Sequence, residues 1–511
     1  MADSSKIKKR PRPPHPPRVA IVGGGIGGLT TAALLARAGC QVTIYERNPE
    51  VGGKLGIEKE GGFEWDTGPS LITMPHVLRE LWATCDAEPE DELDLLELPT
   101  TCRYRWRDGT VIDENEEFWQ GTEIAKFLGY AKGLYDISAE AFLENRLEDA
   151  WRLLARPSQL AQLRHLPKIA STKTLAEKVD LMVSDPHLRQ ILYRFATYNG
   201  SSPYLAPSAF NIIPYVQRSF GGWYVRGGLI EVPRRLATIA KRLGVQFRTN
   251  SEVVSVMPES GRYLVSATDA DGETSTQVSD VVVCNQDVLT ASRGWLGQLL
   301  ASQGEEVIHP RQGADISTSG FVLMLGMGRE FQELDHHNIL FSEDYPAEFH
   351  SMFELGEPAS DPTIYIAISS RNDPSHAPEG CENWFVLVNA PPSIRSERDS
   401  WTPERRDEYG DKIIRRIGRH LGTDIRPDIR VRRTITPEDF GSRHLSFGGA
   451  LYGYASHGVT SSFRRPSMEI PSLPGLHFVG GTTHPGGGIP LAMLGGRIAS
   501  RRILKQHRRR G

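Results

Sequence analysis

Short apolar runs and amphipathic stretches alternate at the beginning of the chain, and this alternation predicts a strand, a helix and a second strand. The run Val19–Val22 has no helical periodicity, as expected of a buried parallel strand. Leu29–Ala38 has the pattern of a helix that Gly39 ends, and Gln41–Tyr45 has the pattern of the next strand. The unit is typical of an α/β domain with a parallel sheet.

Helical and strand patterns return further along the chain. We predict a helix over Met74–Trp82, a largely helical region over residues 124–192, a helix over Leu229–Leu243, a strand over Val245–Val256, a hairpin about Asp271-Gly272 and a strand over Asp280–Cys284. The last of these strands is expected to rejoin the first sheet, so the domain that contains it is discontinuous.

A strand-rich region follows between Ser317 and Asn389. Its apolar runs Gly320–Leu325, Thr363–Ile368 and Trp384–Val388 predict a mostly antiparallel sheet, roofed by the earlier helices. A domain of this kind can enclose an apolar tunnel.

Length, charge and cysteine use narrow the class of protein. A chain of 511 residues is too long for one core, so about two or three domains are expected. The net charge of -4, from 59 basic and 63 acidic residues, gives no reason to expect a nucleic-acid partner. The five cysteines are scattered singly, which predicts neither a metal site nor a disulfide framework and fits a reducing compartment. No apolar run reaches the roughly 18 to 20 residues that cross a bilayer.

The turn after the first strand carries the first candidate chemistry. Gly23, Gly25 and Gly28 form a G-x-G-x-x-G motif between strand and helix. The first glycine permits the tight turn, the second lets a pyrophosphate approach the backbone, and the third lets the helix pack on the strand. Glu46 lies 18 residues after Gly28, close to the spacing at which an acid binds a ribose. These residues predict an adenine dinucleotide with a free 2′-hydroxyl.

The continuation Val51-Gly52-Gly53-Lys54 resembles the extension found in FAD-dependent oxidoreductases of the glutathione-reductase and amine-oxidase kind. This resemblance implies FAD rather than a nicotinamide cofactor, and a Rossmann-like α/β fold. The segment Asp66-Thr67-Gly68-Pro69-Ser70 passes beside the flavin ring in such proteins, although the residues alone also fit an ordinary turn.

A second glycine-rich loop lies near the carboxyl end of the chain. A short strand enters Gly480-Gly481, and Thr482-Thr483-His484-Pro485-Gly486-Gly487-Gly488-Ile489-Pro490 leads into a helix expected to end near Leu504. Such a loop lets backbone lie against a planar ring, and the positive end of the following helix stabilises negative charge on that ring. The predicted cofactor-binding residues are Gly23, Gly25, Ile26, Gly27, Gly28, Glu46, Arg47, Gly53, Lys54, Gly68, Pro69, Ser70, Val253, Gly480, Gly481, Gly488 and Ile489.

With this loop, the amino-terminal motif and the Asp-Thr-Gly-Pro-Ser segment, the chain resembles the bacterial phytoene desaturase family of carotenoid desaturases and oxidases. The resemblance implies non-covalent FAD, a polyene substrate taken from the bilayer, and peripheral attachment to the membrane from the cytoplasm. The electron acceptor stays open between oxygen and a quinone. The implied reaction is desaturation, in which a hydride leaves the chain for flavin N5 and a proton leaves the neighbouring carbon. No strong acid or base is required, and His484 and Glu231 are the polar residues that we would mutate first.

The predicted division of the chain follows from these signatures. It comprises a disordered basic leader over 1–17, an FAD-binding domain in three parts over 18–115, 221–290 and 441–511, a helical region for substrate and membrane over 116–220, and a substrate-domain sheet over 291–440. Within the helical region, Trp151–Lys178 combines basic residues with leucines. These leucines either pack inward as a cap or lie in a lipid interface, and an insoluble substrate favours the second.

Several alternatives stay open. The stretch Ala196–Pro203 resembles the branch of the family that acts on later carotenoid intermediates, whereas the glycine loop is also similar to that of oxidases of carotenoid terminal methyl groups. An amine oxidase on a soluble amine shares the amino-terminal motif and predicts an aromatic cage without membrane attachment. A prenyl-chain binding protein without catalytic flavin resembles the fold, but the intact glycines and Glu46 argue against it.

Overall fold

The computed structural model describes residues 16–88, 93–143, 172–312, 314–394, 400–458 and 465–510. The leader, up to residue 15, and most of the basic stretch Trp151–Lys178 therefore lie outside the described residues. The predicted domain boundaries remain predictions.

The β-strands of the described residues extend from near the beginning of the chain to its last fifty residues. They are β1 Arg18–Val22, β2 Gln41–Tyr45, β3 Ile57–Glu60, β4 Phe63–Asp66, β5 Leu95–Glu97, β6 Arg103–Arg105, β7 Val111–Asp113, β8 Trp223–Val225, β9 Gln246–Arg248, β10 Ser251–Glu259, β11 Arg262–Asp269, β12 Thr274–Ser279, β13 Val281–Cys284, β14 Ser319–Met327, β15 His337–Leu340, β16 Ile364–Ala367, β17 Glu382–Ala390, β18 Ile429–Ile435 and β19 Leu476–Phe478.

The α-helices connect and cover these strands. They are α1 Ile26–Arg37, α2 Pro75–Thr84, α3 Glu116–Gln120, α4 Thr122–Leu143, α5 Leu175–Asp180, α6 Pro186–Tyr193, α7 Ile213–Phe220, α8 Glu231–Arg242, α9 Val288–Arg293, α10 Trp295–Ser302, α11 Tyr345–His350, α12 Pro403–Leu421, α13 Pro437–His444 and α14 Ile489–Arg510.

A five-stranded parallel sheet in the order β19-β13-β1-β2-β9 forms the first layer. Its central strand β1 is buried from Val19 to Val22 and pairs in parallel register with both β2 and β13. Helices α1 and α14 pack on it, with a core that includes Leu29, Ile44 and Ile498. The sheet thus joins strands from near the beginning, the middle and the end of the chain.

A second sheet has seven strands in the order β18-β14-β17-β16-β15-β6-β7. All its pairs are antiparallel except β15 with β6, so the mostly antiparallel sheet predicted from the strand-rich region is confirmed. Helices α4, α5, α6 and α7 form a separate apolar cluster around Phe127, Leu192 and Phe195.

Some predicted elements differ in their limits. The single strand predicted over Val245–Val256 is wrong, because the chain breaks at Asn250, where φ is +50°, between β9 in the parallel sheet and β10 in a three-stranded antiparallel sheet. Helix α1 starts three residues earlier than predicted, inside the glycine motif. The largely helical region predicted over residues 124–192 continues past its predicted end, as a 3₁₀ helix over Arg194–Asn199.

Candidate functional site

The glycine turn between β1 and α1 leaves backbone N–H groups open to a ligand. Gly23 has a φ of +99°, which favours glycine, and Gly25 caps α1 without a side-chain hydrogen bond. A Cβ atom on Gly25 would lie 2.7 Å from Nδ2 of Asn285, and one on Gly28 would lie 2.5 Å from the carbonyl oxygen of Gly23. Because the first N–H groups of a helix have no intrahelical acceptor, the turn is suited to a phosphate.

Glu46 lies directly after β2, at the carboxyl edge of the parallel sheet. Its buried carboxylate accepts hydrogen bonds from the backbone N–H of Gly24 at 2.7 Å and from the backbone N–H and Nδ2 of Asn48, both at 2.9 Å. These donors fix the carboxylate beside the glycine turn, where an acid binds the ribose of a dinucleotide.

A cavity of about 690 Å³ begins at this turn and continues between the second sheet and the helices α4 and α7. Many of the predicted cofactor-binding residues line it, although they come from opposite ends of the chain. They are Gly25, Ile26, Gly27, Gly53, Lys54, Gly68, Pro69, Ser70, Gly480, Gly481, Gly488 and Ile489, together with the candidate His484.

The remaining predicted residues lie outside the lining of this cavity. Gly23 and Gly28 shape the turn behind it, and Arg47 donates a hydrogen bond to the carbonyl of Ser442 at 3.0 Å. Val253 is a residue of β10 and its side chain is buried in a hydrophobic core. Glu231 begins α8 and forms ion pairs with Arg234 and Arg235, so it is placed as a helix-end residue.

Lys54 lines the cavity and donates a hydrogen bond to the carbonyl oxygen of Leu451 at 2.6 Å. Burial lowers its pKa to about 8, and the negative charge of Asp287 partly opposes that shift. Through hydrogen bonds to the carbonyl oxygens of residues 450 and 451, Lys54 connects these residues to the segment that follows the glycine turn.

The part of the cavity away from the glycine turn is mostly apolar. Its walls come from α4, from the segment before α7, from α7 itself and from the second sheet, and include Leu134, Phe210, Ile212, Ile213, Val216, Ile339 and Leu387. Such a wall suits a long hydrocarbon, because burying apolar surface is favourable by about 25 cal/mol per Å².

Polar groups in that wall bond mainly to one another. The hydroxyl groups of Ser70 and Tyr365 are 2.5 Å apart, and the Tyr365 hydroxyl lies 2.7 Å from Nδ1 of His337. Burial raises the pKa of Tyr365 and lowers that of His337 well below its usual range. Both side chains are therefore neutral at physiological pH.

Sequence reasoning missed a buried ion pair beside this wall. Arg194 lies 3.0 Å from Glu114, donates a hydrogen bond to the Tyr104 hydroxyl at 2.8 Å, and also lines the cavity. Gln217 donates a hydrogen bond to the same carboxylate of Glu114. The partners are about 80 to 100 residues apart in sequence, so no local spacing signals their pairing.

The protein has relatives of known class along nearly its whole length. Residues 26–504 match the family of flavin containing amine oxidoreductases. A 1-hydroxycarotenoid 3,4-desaturase from Flavobacterium sp. (strain P99-3) is 33% identical over 502 residues, covering 94% of this chain and 98% of the relative. A 4,4'-diapolycopene oxygenase from Methylomonas sp is 33% identical over 505 residues, covering 95% of this chain and 98% of the relative.

Solved structures share the fold at low identity. Cyclohexylamine oxidase from Brevibacterium oxydans IH-35A has a TM-score of 0.61 and 15% identity, covering 97% of this chain and 100% of that chain. A putrescine oxidase bound to putrescine has a TM-score of 0.62 and 16% identity, covering 96% of this chain and 99% of that chain. These similarities confirm the predicted Rossmann-like fold of amine-oxidase type.

Fold, glycine turn and buried acid fit an adenine dinucleotide, and together with the flavin family match they define an FAD-dependent oxidoreductase. The chain belongs to the flavin containing amine oxidoreductase family. Within that family it groups with carotenoid desaturases and oxygenases, so the resemblance inferred from its motifs is confirmed. Among the described residues, no helix is both long and apolar enough to cross a membrane.

Proposed function

We propose that this enzyme introduces double bonds into an acyclic carotenoid of C30 or C40 length. The observation that carries the proposal is a single cavity that joins the dinucleotide turn and the carboxyl-terminal glycine loop to an apolar space lined by α4, α7 and the second sheet. A desaturase among the relatives is named for a hydroxycarotenoid, and oxygenases among them are named for diapocarotenoids. The experiment that tests the proposal therefore uses polyenes of both C30 and C40 length.

Residues of the cavity and of the adjoining glycine turn would bind different parts of FAD. Gly25, Ile26 and Gly27 would hold the pyrophosphate through backbone N–H groups, and Glu46 would hold the ribose. The segment Gly68–Ser70 and the loop Gly480–Ile489, which line the cavity, would hold the ring. When bound, FAD accepts a hydride from one carbon of the polyene, while the neighbouring carbon loses a proton and the single bond between them becomes double.

The protein's own contribution to this step is to position the substrate and exclude water. The apolar wall places one bond of the chain next to the ring, and conjugation spreads the positive charge that develops. His484 lines the cavity and is the candidate to assist proton removal, whereas Glu231, paired with two arginines, is the weaker candidate.

Oxidation of a terminal methyl group is the second candidate function. Two kinds of relative are named as oxygenases, of 4,4'-diapolycopene and of 4,4'-diaponeurosporene, at 28% to 33% identity. The same cavity serves if the end of the chain, rather than its middle, reaches the ring. The likeness to amine oxidases concerns the fold alone and lends no support to a soluble amine as substrate.

We also propose that the enzyme works at the cytoplasmic face of the membrane as a peripheral protein, with oxygen or a quinone as electron acceptor. A polyene insoluble in water reaches the cavity most directly from lipid. Leu134, Ser138 and Leu143 of α4 line the apolar part, so this helix is the proposed entrance side.

Expression in cells that accumulate defined C30 or C40 polyenes tests the proposal, with pigments read by absorbance and mass. Loss of two mass units for each new double bond supports desaturation, and added oxygen supports the methyl oxidase. Failure to convert any of several acyclic polyenes, by a protein that purifies with FAD, contradicts both.

A further inference from the structure

Arg465 lines the same cavity beside the carboxyl-terminal glycine loop. Its Nη1 atom donates hydrogen bonds to the carbonyl oxygens of Gly481 at 3.2 Å and Tyr452 at 3.4 Å. A Cβ atom on Gly486 would lie 3.3 Å from Cζ of Arg465, so the guanidinium group packs against the backbone of the loop.

This cation has no acidic neighbour in the part of the chain that the structure describes, where no carboxylate oxygen lies within 4.0 Å of it. The preceding residues 459–464 contain no Asp or Glu either. Burial lowers the pKa of Arg465 to about 10. Two other arginines with little exposed surface are paired, Arg194 with Glu114 at 3.0 Å and Arg371 with Glu382 at 2.6 Å.

Arg465 is partly buried, and a cation that loses part of its hydration without gaining a counter-charge is destabilised, because buried charges in proteins are normally paired. The arrangement around Arg465 therefore suits an anion that enters the cavity. FAD offers two negative groups, namely its pyrophosphate and the ring edge that gains negative charge on reduction.

The contacts of Arg465 favour the ring over the pyrophosphate as the anionic group beside it. The proposed binding site of the pyrophosphate is the N-terminus of α1, where Gly25 and Gly27 approach Asn285. Arg465 instead contacts Gly481 and Gly486, in the loop that we assign to the ring.

We propose that Arg465 raises the reduction potential of bound FAD, because its positive charge stabilises the negative charge that the ring gains when it is reduced. The inference rests on the proposed placement of the loop Gly480–Ile489 against the ring. The start of α14 adds a positive partial charge to the same side. Arg465 is thus a positioning and tuning residue that makes hydride acceptance from an unactivated carbon chain more favourable.

The test compares Arg465→Gln, which removes the charge, with Arg465→Lys, which keeps it but loses the planar fork. Two quantities are measured on the purified holoenzyme. They are the midpoint potential of bound FAD, by equilibration with redox dyes, and the dissociation constant of oxidised FAD, by fluorescence titration. Arg426→Gln, which removes an exposed arginine paired with Asp424, is the control.

We expect Arg465→Gln to lower the preference for reduced over oxidised FAD at least tenfold, which is about 30 mV for a two-electron couple. In Arg465→Lys, the midpoint potential of bound FAD is expected to stay close to that of the unmodified protein. Oxidised FAD is expected to bind to both variants nearly as tightly as to the unmodified protein. The control changes neither quantity.

Two results overturn the inference. If Arg465→Gln weakens binding of oxidised FAD without changing the potential, the cation serves the pyrophosphate. If both variants lose FAD or stability equally and the remaining holoenzyme keeps its potential, Arg465 only braces the loop. A protein that shows the expected shift but converts no polyene contradicts the proposed function and leaves this inference standing.

Discussion

At the scale of single residues, Gly25 and Gly28 are required for different reasons. Gly25 has φ -73° and ψ 173°, a conformation open to any residue, so only the space in front of it is special. Gly28 lies in α1, where a Cβ atom would press on the backbone carbonyl of Gly23. A larger side chain at residue 25 is therefore expected to weaken ligand binding, whereas one at residue 28 is expected to destabilise the fold.

Gly25→Val is expected to abolish FAD retention while leaving the protein folded. The added side chain lies against Asn285 and covers the N–H groups at the start of α1. Flavin absorbance of the purified protein and its thermal unfolding curve check this outcome. Gly129→Val, in the exposed part of α4 where a Cβ atom meets nothing within 4 Å, is the matched control and stays yellow. A yellow Gly25→Val variant contradicts the assignment of the turn.

Glu46→Gln is expected to weaken FAD binding by roughly tenfold to a hundredfold. The carboxylate accepts hydrogen bonds only, so an amide group in its place turns an N–H toward the donors of Gly24 or Asn48. Titration of the apoprotein with FAD measures the change. Glu50→Gln, at an exposed surface ion pair with Arg234, removes the same charge four residues away and leaves the affinity as it was.

At the scale of secondary-structure elements, Asp66 joins the end of β4 to the start of α8. Its Oδ1 accepts a hydrogen bond from the backbone N–H of Leu229 at 2.9 Å. Burial raises its pKa to about 7, although the backbone N–H groups of Leu229 and Ile230 oppose that rise. The neighbouring negative charge of Asp373 adds to it.

This junction makes stability depend on pH in a definite direction. The pKa of Asp66 is about 3.9 in the unfolded chain, so between about pH 4 and 7 the folded state holds more protons. Its contribution to the free energy of unfolding therefore falls as pH rises through that window, by at most about 1.4 kcal/mol per pH unit, and is constant above it.

Asp66→Asn keeps an acceptor oxygen for Leu229 but carries no charge, so its stability relative to the unmodified protein is expected to rise from pH 4.5 to 7.5. Urea unfolding at several pH values measures the difference. Asp271→Asn, at the exposed tip of the β11–β12 hairpin, gives a pH-independent difference. If the stability difference between Asp66→Asn and the unmodified protein is also independent of pH, the proposed effect of Asp66 on stability is wrong.

The elements themselves show what local sequence can predict. The β1-α1-β2 unit follows from apolar runs and glycines that are adjacent in sequence. The break between β9 and β10 does not, because both segments have the alternating pattern of a strand and only their pairing with different sheets separates them. The 3₁₀ helix at Arg194–Asn199 was missed for a similar reason, since Arg194 is held by Tyr104 and Glu114 on distant parts of the chain.

At the scale of the whole molecule, the same limit applies to the site. The position of Glu46 beside the glycine turn could be predicted, because its distance from the glycines is fixed by one strand and one helix. Arg465 was not found, because its environment consists of carbonyl groups of residues 452 and 481 and of the cavity itself. The motifs therefore identify the cofactor, whereas the charge of Arg465 in the cavity becomes visible only after folding.

The site exists because the two ends of the chain pack together through α1 and α14. Thr31 of α1 donates a hydrogen bond to the carbonyl of Gly27 at 2.8 Å, and Gly496 of α14 faces the same carbonyl. A Cβ atom on Gly496 would lie 2.7 Å from that oxygen and 3.0 Å from Cβ of Thr30. The helices approach this closely only because residue 496 is a glycine.

Gly496→Ala is therefore expected to push α14 away from α1. Overpacking of this kind costs about 1–3 kcal/mol, which outweighs the roughly 1 kcal/mol that alanine gains over glycine in a helix. Because α14 begins at the loop assigned to the ring, FAD affinity should fall together with the unfolding temperature.

The neighbouring glycine provides the control within the same helix turn. A Cβ atom on Gly495 would lie 3.4 Å from the carbonyl oxygen of His484 and from Cδ of Pro485, close to ordinary contact distance. Gly495→Ala should therefore keep FAD affinity and unfold at the same or a higher temperature. If the two alanine variants behave alike, the close approach of α1 and α14 is not what holds the two halves of the FAD site together.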